Sequence, residues 1–186
     1  MSLISKKAVV LLLTAVTSLG ALNAYAAKAA SDSPLKVSML AGKFSFTLPK
    51  GFAANPLPPG ATGATGTMYV NETTKTVVIA AENNLPPGVT VKDNDGKFLD
   101  ETAADFDVAE HKALPDFNKL SEKSLTLKGT GLGVRQVDST ATQGGGKTLN
   151  STLMAASGNK MAVIQIISRP ADKAGHDKLV KQITGK

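Results

Sequence analysis

Apolar and polar positions alternate along residues 43–48, where Phe44, Phe46 and Leu48 share one face at a period of two. That spacing predicts a strand, ended by Pro49 and Gly51. Residues 53–66, AANPLPPGATGATG, hold too much Pro and Gly for a helix or a ladder and read as a long loop. The tetrapeptide Leu-Pro-Pro-Gly stands at 57–60 and again at 85–88 without matching flanks, so both copies read as turns. A hairpin is predicted between them, with arms at 67–71 and 76–81 and its turn near Thr73, Thr74 and Lys75. The consecutive apolar residues Val77, Val78, Ile79 and Ala80 point to an inner strand covered on both faces.

The period then lengthens. Over residues 97–113, Leu99, Ala103, Phe106, Ala109 and Ala113 follow helical spacing. Asp95 is placed to cap the start, and Asp100 and Glu101 suit the positive end of the helix dipole. His111 and Lys112 suit the negative end, and Pro115 marks the stop. Four strands follow. The first carries Leu125 and Leu127; the second spans 132–142, where Val134 and Val137 lie three apart and suggest a bulge or a change of exposed face. Gly144-Gly145-Gly146 turns into a third strand at 148–155, and Ser157-Gly158-Asn159 into a fourth at 161–167. That fourth run, MAVIQII, is apolar on both faces and is expected at the sheet's centre. A last helix is predicted over 170–184, with Leu179, Val180 and Ile183 as its apolar stripe and Lys173, Lys178 and Lys181 largely off it. Strands, helix, strands, helix, joined by short turns, give an α+β fold: an antiparallel sheet flanked by helices.

Residues 1–26 have a different character. Lys6 and Lys7 precede an apolar stretch at 8–22, and Ala24-Tyr25-Ala26 sets small residues for cleavage between Ala26 and Ala27. The stretch is shorter than the roughly 20 residues a membrane-spanning helix needs, so a secretory signal peptide is expected. Residues 27–37 read as a flexible segment, and 38–186 as a single domain. The leader carries two lysines and no acid, so its removal lowers the net charge from +6 to +4. That mild excess, with aromatics at 4% of the chain, argues against a nucleic-acid surface. It fits solubility, with weak attraction to anionic envelope surfaces as a lesser effect.

Candidate chemistry is thin. The absence of Cys excludes disulfides, thiolate metal sites, a cysteine nucleophile and an acylated N-terminal Cys. Gly144-Gly145-Gly146-Lys147-Thr148 imitates the end of a phosphate loop, but Ala141 stands where the motif's first Gly belongs and the segment joins two strands. Gly129, Gly131 and Gly133 fit a kinked strand entrance better than a dinucleotide site. Asp93-Asn94-Asp95-Gly96 resembles the middle of a calcium loop, yet Val91 and Thr102 stand where acidic ligands belong. His111 and His176 lack metal-site spacing and are expected to be solvated. There is no G-x-S-x-G elbow, and Asp100, Glu101, Asp105, Asp107 and Glu110 read as a solvated helix face. Asn71 and Asn150 lie in N-x-[ST] sequons, which matter only in a eukaryotic secretory pathway.

The segment Leu40-Ala41-Gly42-Lys43-Phe44-Ser45-Phe46-Thr47-Leu48-Pro49 resembles the L-x-G-K-x-S-F-x-L-P opening of the DcrB-like bacterial envelope proteins. The hairpin at 68–79, the ending Gln165-Ile166-Ile167 and the step Pro170-Ala171-Asp172 into the last helix extend the likeness over about residues 38–184. The resemblance implies a Mog1/PsbP-like α/β/α sandwich and a cell-envelope role linked to bacteriophage sensitivity. Lipoproteins of that family are anchored. With no Cys, this chain resembles a soluble periplasmic version with no stable membrane anchor after cleavage.

The sequence thus leads to a non-enzymatic periplasmic protein without cofactor or metal, acting through protein–protein or envelope contacts with unidentified envelope proteins. The loops at 57–66 and 85–96 are its candidate binding surfaces. The alternative is a binder of a small ligand, held between sheet and helix, or of calcium near Asp93 and Asp95. A hydrolase would require Ser or Asp to converge with His111 or His176.

Overall fold

The computed structural model describes residues 29–57 and 63–186. The expected leader and its cleavage position at Ala26 and Ala27 lie outside the described residues. The fold begins earlier than residue 38. A strand β1 (Leu35–Met39) pairs antiparallel with β2 (Phe44–Leu48), Val37 opposite Phe46. Upstream, the Ser31 amide donates to the Phe52 carbonyl at 3.0 Å and the Gly51 amide to the Ser31 carbonyl at 2.8 Å. The stretch expected to be flexible is therefore tied down through its second half. Leu35, Val37 and Met39 alternate like Phe44, Phe46 and Leu48, so the two strands share one apolar face.

Part of the expected 53–66 loop is also a strand. β3 (Ala53–Asn55) lies along β4 (Thr65–Asn71), with Asn55 opposite Met68. The predicted hairpin is present as β4 and β5 (Thr76–Asn84). Its turn is set by Asn71, whose Oδ1 accepts from the amides of Thr73 and Thr74 at 3.1 Å each, while Lys75 takes a left-handed φ of 53°. β4 must also lie close to β5 at Gly66, where a Cβ would stand 2.1 Å from the Ala80 carbonyl oxygen.

The first helix, α1 (Gly96–Ala113), starts where expected: Asp95 accepts from the Phe98 amide at 3.0 Å. It ends at Leu114, whose extended backbone precedes Pro115. Its buried stripe is Leu99, Thr102, Ala103, Phe106 and Glu110, so the inward face runs through Glu110 and leaves Ala113 exposed. Then come β6 (Asn118–Thr126), β7 (Gly133–Gln143), β8 (Gly146–Ser157) and β9 (Lys160–Ser168). The register shift falls in β6, between Lys119 and Ser121, and not in β7. β7 pairs with β8 without interruption, and Val134 and Val137 simply face opposite cores. A 3-10 turn at Pro170–Asp172 leads into α2 (Lys173–Thr184), which a left-handed Gly185 at φ 70° closes.

The main sheet has the order β3-β4-β5-β9-β8-β7-β6, every pairing antiparallel, with MAVIQII in the fourth and central position. Its two faces feed two cores. On one, Ala162, Ile164 and Ile166 of β9 meet the β1–β2 hairpin and the Leu179, Val180 and Ile183 stripe of α2. On the other, Met161, Val163 and Ile167 meet Ala103 and Phe106 of α1 with Leu114 and Phe117. Burial of these apolar side chains, at about 1.5–3 kcal/mol each, is the main force joining the layers. No helix among the described residues is long and apolar enough to cross a membrane.

Candidate functional site

α2 packs over β2, β8 and β9. Beside it, β6 and β7 extend as the floor of an open cleft of about 400 Å³. The strand period decides what lines it. Register pairs Asp138 of β7 with Ser151 of β8, and both point to the α2 side, where further inward positions would be apolar. His176 descends from α2 on the stripe that also carries Leu179, Val180 and Ile183.

These side chains form one connected chain. The Ser151 hydroxyl donates to Asp138 Oδ1 at 2.6 Å and accepts from His176 Nε2 at 2.9 Å. His176 Nδ1 then accepts from the Ser168 hydroxyl at 3.0 Å. This assignment makes the ring neutral with its proton on Nε2. His176 is 5% exposed, and burial holds its pKa below 6.5, against the opposing pull of Asp177 and Asp138. The expectation of a solvated His176 is thus overturned, because its helical position falls on the buried stripe. Burial works to raise the Asp138 pKa, but donors from Ser151, Gln136, Ser121 and Lys123 outweigh it and hold the carboxyl below its usual range.

Ser, Asp and His therefore converge, in the wrong order for nucleophilic catalysis. A serine nucleophile needs the imidazole as its proton acceptor, with the carboxylate on the far side of the ring. Here the carboxylate and the imidazole share one hydroxyl, which is 2% exposed in its residue. The carboxylate beside that hydroxyl is held below its usual pKa, which makes it a poor base. The arrangement ties α2 to the sheet and leaves the cleft walls, including Lys123, Lys173, Asp177 and Lys181, as a polar rim. Asp138, Ser151 and Ser168 were missed as site residues from the sequence. Their one signal is polarity at inward positions of central strands.

The other candidates lie elsewhere. His111 is exposed, donates from Nδ1 to the Asp107 carbonyl at 2.9 Å and stacks edge-on against Phe117. Asp93 is held by Lys43, whose Nζ reaches its two oxygens at 2.8 and 2.7 Å, and by the Ser157 hydroxyl at 2.6 Å. Those contacts, Lys43 first, keep its pKa below the usual carboxylate range. Asp95 is spent on the α1 cap. An ammonium thus stands where a calcium ion would need the Asp93 carboxylate, and the residues do not fit that ion. Among the described residues no three His, Cys, Asp or Glu side chains gather as a metal site. The loop at 85–96 is fastened to the β8–β9 turn: the Leu85 amide donates to the Asn159 carbonyl at 2.7 Å, and Val91 and Gly158 exchange amide bonds at 2.8 and 3.0 Å. Of the other candidate loop, residues 58–62 lie outside the described residues.

Gly144 and Gly145, at φ 58° and 79°, form the tight β7–β8 turn, and Lys147 pairs with Asp116. The Thr148 hydroxyl donates to the Ala141 carbonyl at 3.0 Å, so the segment is a hairpin turn and not a phosphate loop. Gly133 permits close packing at the start of β7, since a Cβ there would stand 2.4 Å from Asn94 Oδ1. Glu110 went unrecognised as a special residue: it is 4% exposed, its Oε1 has no partner, and burial pushes its pKa up to about 7.

No family model and no curated protein matches the chain. Solved structures do. The solution structure of the cyanobacterial PsbP protein CyanoP from Synechocystis sp. PCC 6803 superposes with a TM-score of 0.55 at 8% identity, over 81% of this chain and 91% of that one. A Pseudomonas aeruginosa protein of unknown function, PA94, described as a putative regulator, gives a TM-score of 0.48 at 13% identity, over 80% of this chain and 92% of that one. At 8% identity the likeness to CyanoP speaks for architecture alone. The seven-stranded antiparallel sheet with a helix on each face is a PsbP-like α+β fold.

Proposed function

We propose that this chain is an exported, soluble periplasmic protein, similar to the DcrB-like envelope proteins, that works through contacts with other envelope components and not through chemistry. Export is supported by the leader pattern at residues 1–26, ahead of a folded body whose first described strand begins at Leu35. The observation that carries the non-enzymatic reading is the heavy-atom arrangement: one buried Ser151 hydroxyl lies 2.6 Å from Asp138 Oδ1 and 2.9 Å from His176 Nε2, and the far ring nitrogen meets Ser168 and not a carboxylate.

The test joins fractionation to crosslinking. Cells are separated into periplasm and cytosol, the chain is crosslinked in the periplasm, and captured envelope proteins are identified and confirmed by reciprocal capture. A deletion strain is then scored for phage sensitivity and envelope stress. A cytosolic chain, or an unchanged deletion strain with no reproducible partner, would contradict the reading.

The cleft beside α2 favours a second reading, a small-ligand binder, because its lining joins apolar Leu120, Leu149 and Val180 to the charged Lys123, Lys173 and Asp177. Native mass spectrometry of protein from the periplasm separates the two. A stoichiometric copurified molecule supports the ligand reading.

A further inference from the structure

The two helices cover opposite faces of one sheet, and they differ in charge. Residues 95–113, α1 with its cap, hold six carboxylates against two lysines, a formal charge of −4. Residues 169–186, α2 with its flanks, hold five cations against two carboxylates, a formal charge of +3. A molecule whose modest net charge is spread evenly has no such polarity.

The basic side has a definite geometry. Helical spacing sends His176, Leu179, Val180 and Ile183 to the sheet and Lys178 and Lys181 outward, with Ala174 between them. Lys173 is paired with Asp177. Lys178, Lys181, Lys186 and Lys128 are exposed and have no ion-pair partner among the described residues. Lys128 belongs to the same side, since it lines a shallow pocket with Gln182 and Gly185. Among the described residues two large apolar side chains stand exposed: Val108, on α1, and Leu120, on β6, which lines the cleft beside Lys173 and Lys181.

We infer that the outer face of α2 docks on an anionic lipid bilayer, by electrostatic attraction and without insertion. The inference rests on the envelope reading above for its setting and on the charge pattern for its content. A specific protein interface is built around a cluster of buried aromatic or aliphatic anchors, and this side offers a single exposed leucine, Leu120. Unpaired, exposed lysines without an apolar cluster suit a diffuse anionic surface of headgroups. The apolar stripe of α2 is already spent on the sheet core, so the helix has no apolar face left to enter the acyl region. Contact of this kind is weak, reversible and screened by salt.

The test is co-sedimentation of a chain beginning at Ala27, which retains both cores and every described strand. Vesicles of phosphatidylglycerol mixed with phosphatidylethanolamine are compared with vesicles of phosphatidylcholine alone. Binding is expected to the anionic vesicles only, and to vanish in half-molar salt. Each lysine near the surface contributes about fivefold, so Lys178→Glu with Lys181→Glu is expected to weaken binding by at least about 25-fold. The control is Lys97→Glu with Lys112→Glu on α1, which makes the same change in net charge on the opposite face and is expected to leave most of the binding intact. Equal loss in both variants, binding to neutral vesicles, or no binding to anionic vesicles would overturn the inference, as would binding to an acidic protein alone. All four positions are exposed, and an unchanged melting temperature verifies folding. A chain found in the periplasm that ignores vesicles sinks this inference alone. A chain found in the cytosol sinks the envelope reading and leaves the vesicle result to stand.

Discussion

His176 Nε2 donates to the Ser151 hydroxyl across 2.9 Å, joining the second helix to the middle of the sheet beneath it. Both groups are buried, and each end of the chain has a further partner in Ser168 and Asp138. Replacing His176 by Ala would leave two buried hydroxyls each short of a partner. The expected loss is about 2–4 kcal/mol in urea unfolding, with α2 the first element to lose hydrogen-exchange protection.

The same histidine makes stability depend on acid. Its folded pKa is depressed below 6.5 because burial disfavours the charged ring. The unfolded chain therefore takes up this proton first as pH falls. The contribution is fully present above pH 6.5 and is lost as pH drops from there toward the folded value. Because other groups titrate in the same range, the histidine is read as a difference: the urea midpoint of His176→Gln, relative to that of the unsubstituted chain, should rise as pH falls from 7 to 5.

Glu110 acts in the opposite direction. Its folded pKa is raised from 4.5 to about 7 by burial, so the unfolded chain releases this proton first as pH rises. Stability is lost between those two values, by up to about 3 kcal/mol in all. The Glu110→Gln variant should match the unsubstituted chain near pH 4 and exceed it at pH 8. Equal urea midpoints for the two chains at pH 8 would show that the carboxyl is solvated.

Gly66 and Gly96 make a matched pair. A methyl at Gly66 would collide with the Ala80 carbonyl and wedge β4 from β5. Gly66→Ala should cost about 3 kcal/mol or more. At Gly96, in the first turn of α1, an added methyl meets nothing within 4 Å and the backbone is not left-handed. Gly96→Ala should stabilise by about 0.5–1 kcal/mol, read as a higher melting temperature.

These elements differ in how plainly the sequence announces them. The β4–β5 hairpin, the Asp95 cap and the central place of β9 follow from local period and turn chemistry, which neighbouring residues settle among themselves. β1 was hidden because its alternation follows a small polar stretch, and β3 because only its pairing with β4 makes three residues a strand. The site was legible least. Asp138, Ser151, Ser168 and His176 meet only once register and helix rotation are fixed, and those are tertiary facts. Glu110 looked like one more solvated carboxylate because composition does not reveal which face of an acidic helix turns inward.

The envelope reading depends on where the chain resides and where it begins. Intact-mass spectrometry of protein from fractionated cells addresses both. The account predicts a periplasmic species whose first residue is Ala27. A chain that still starts at Met1 and stays in the cytosol would contradict it.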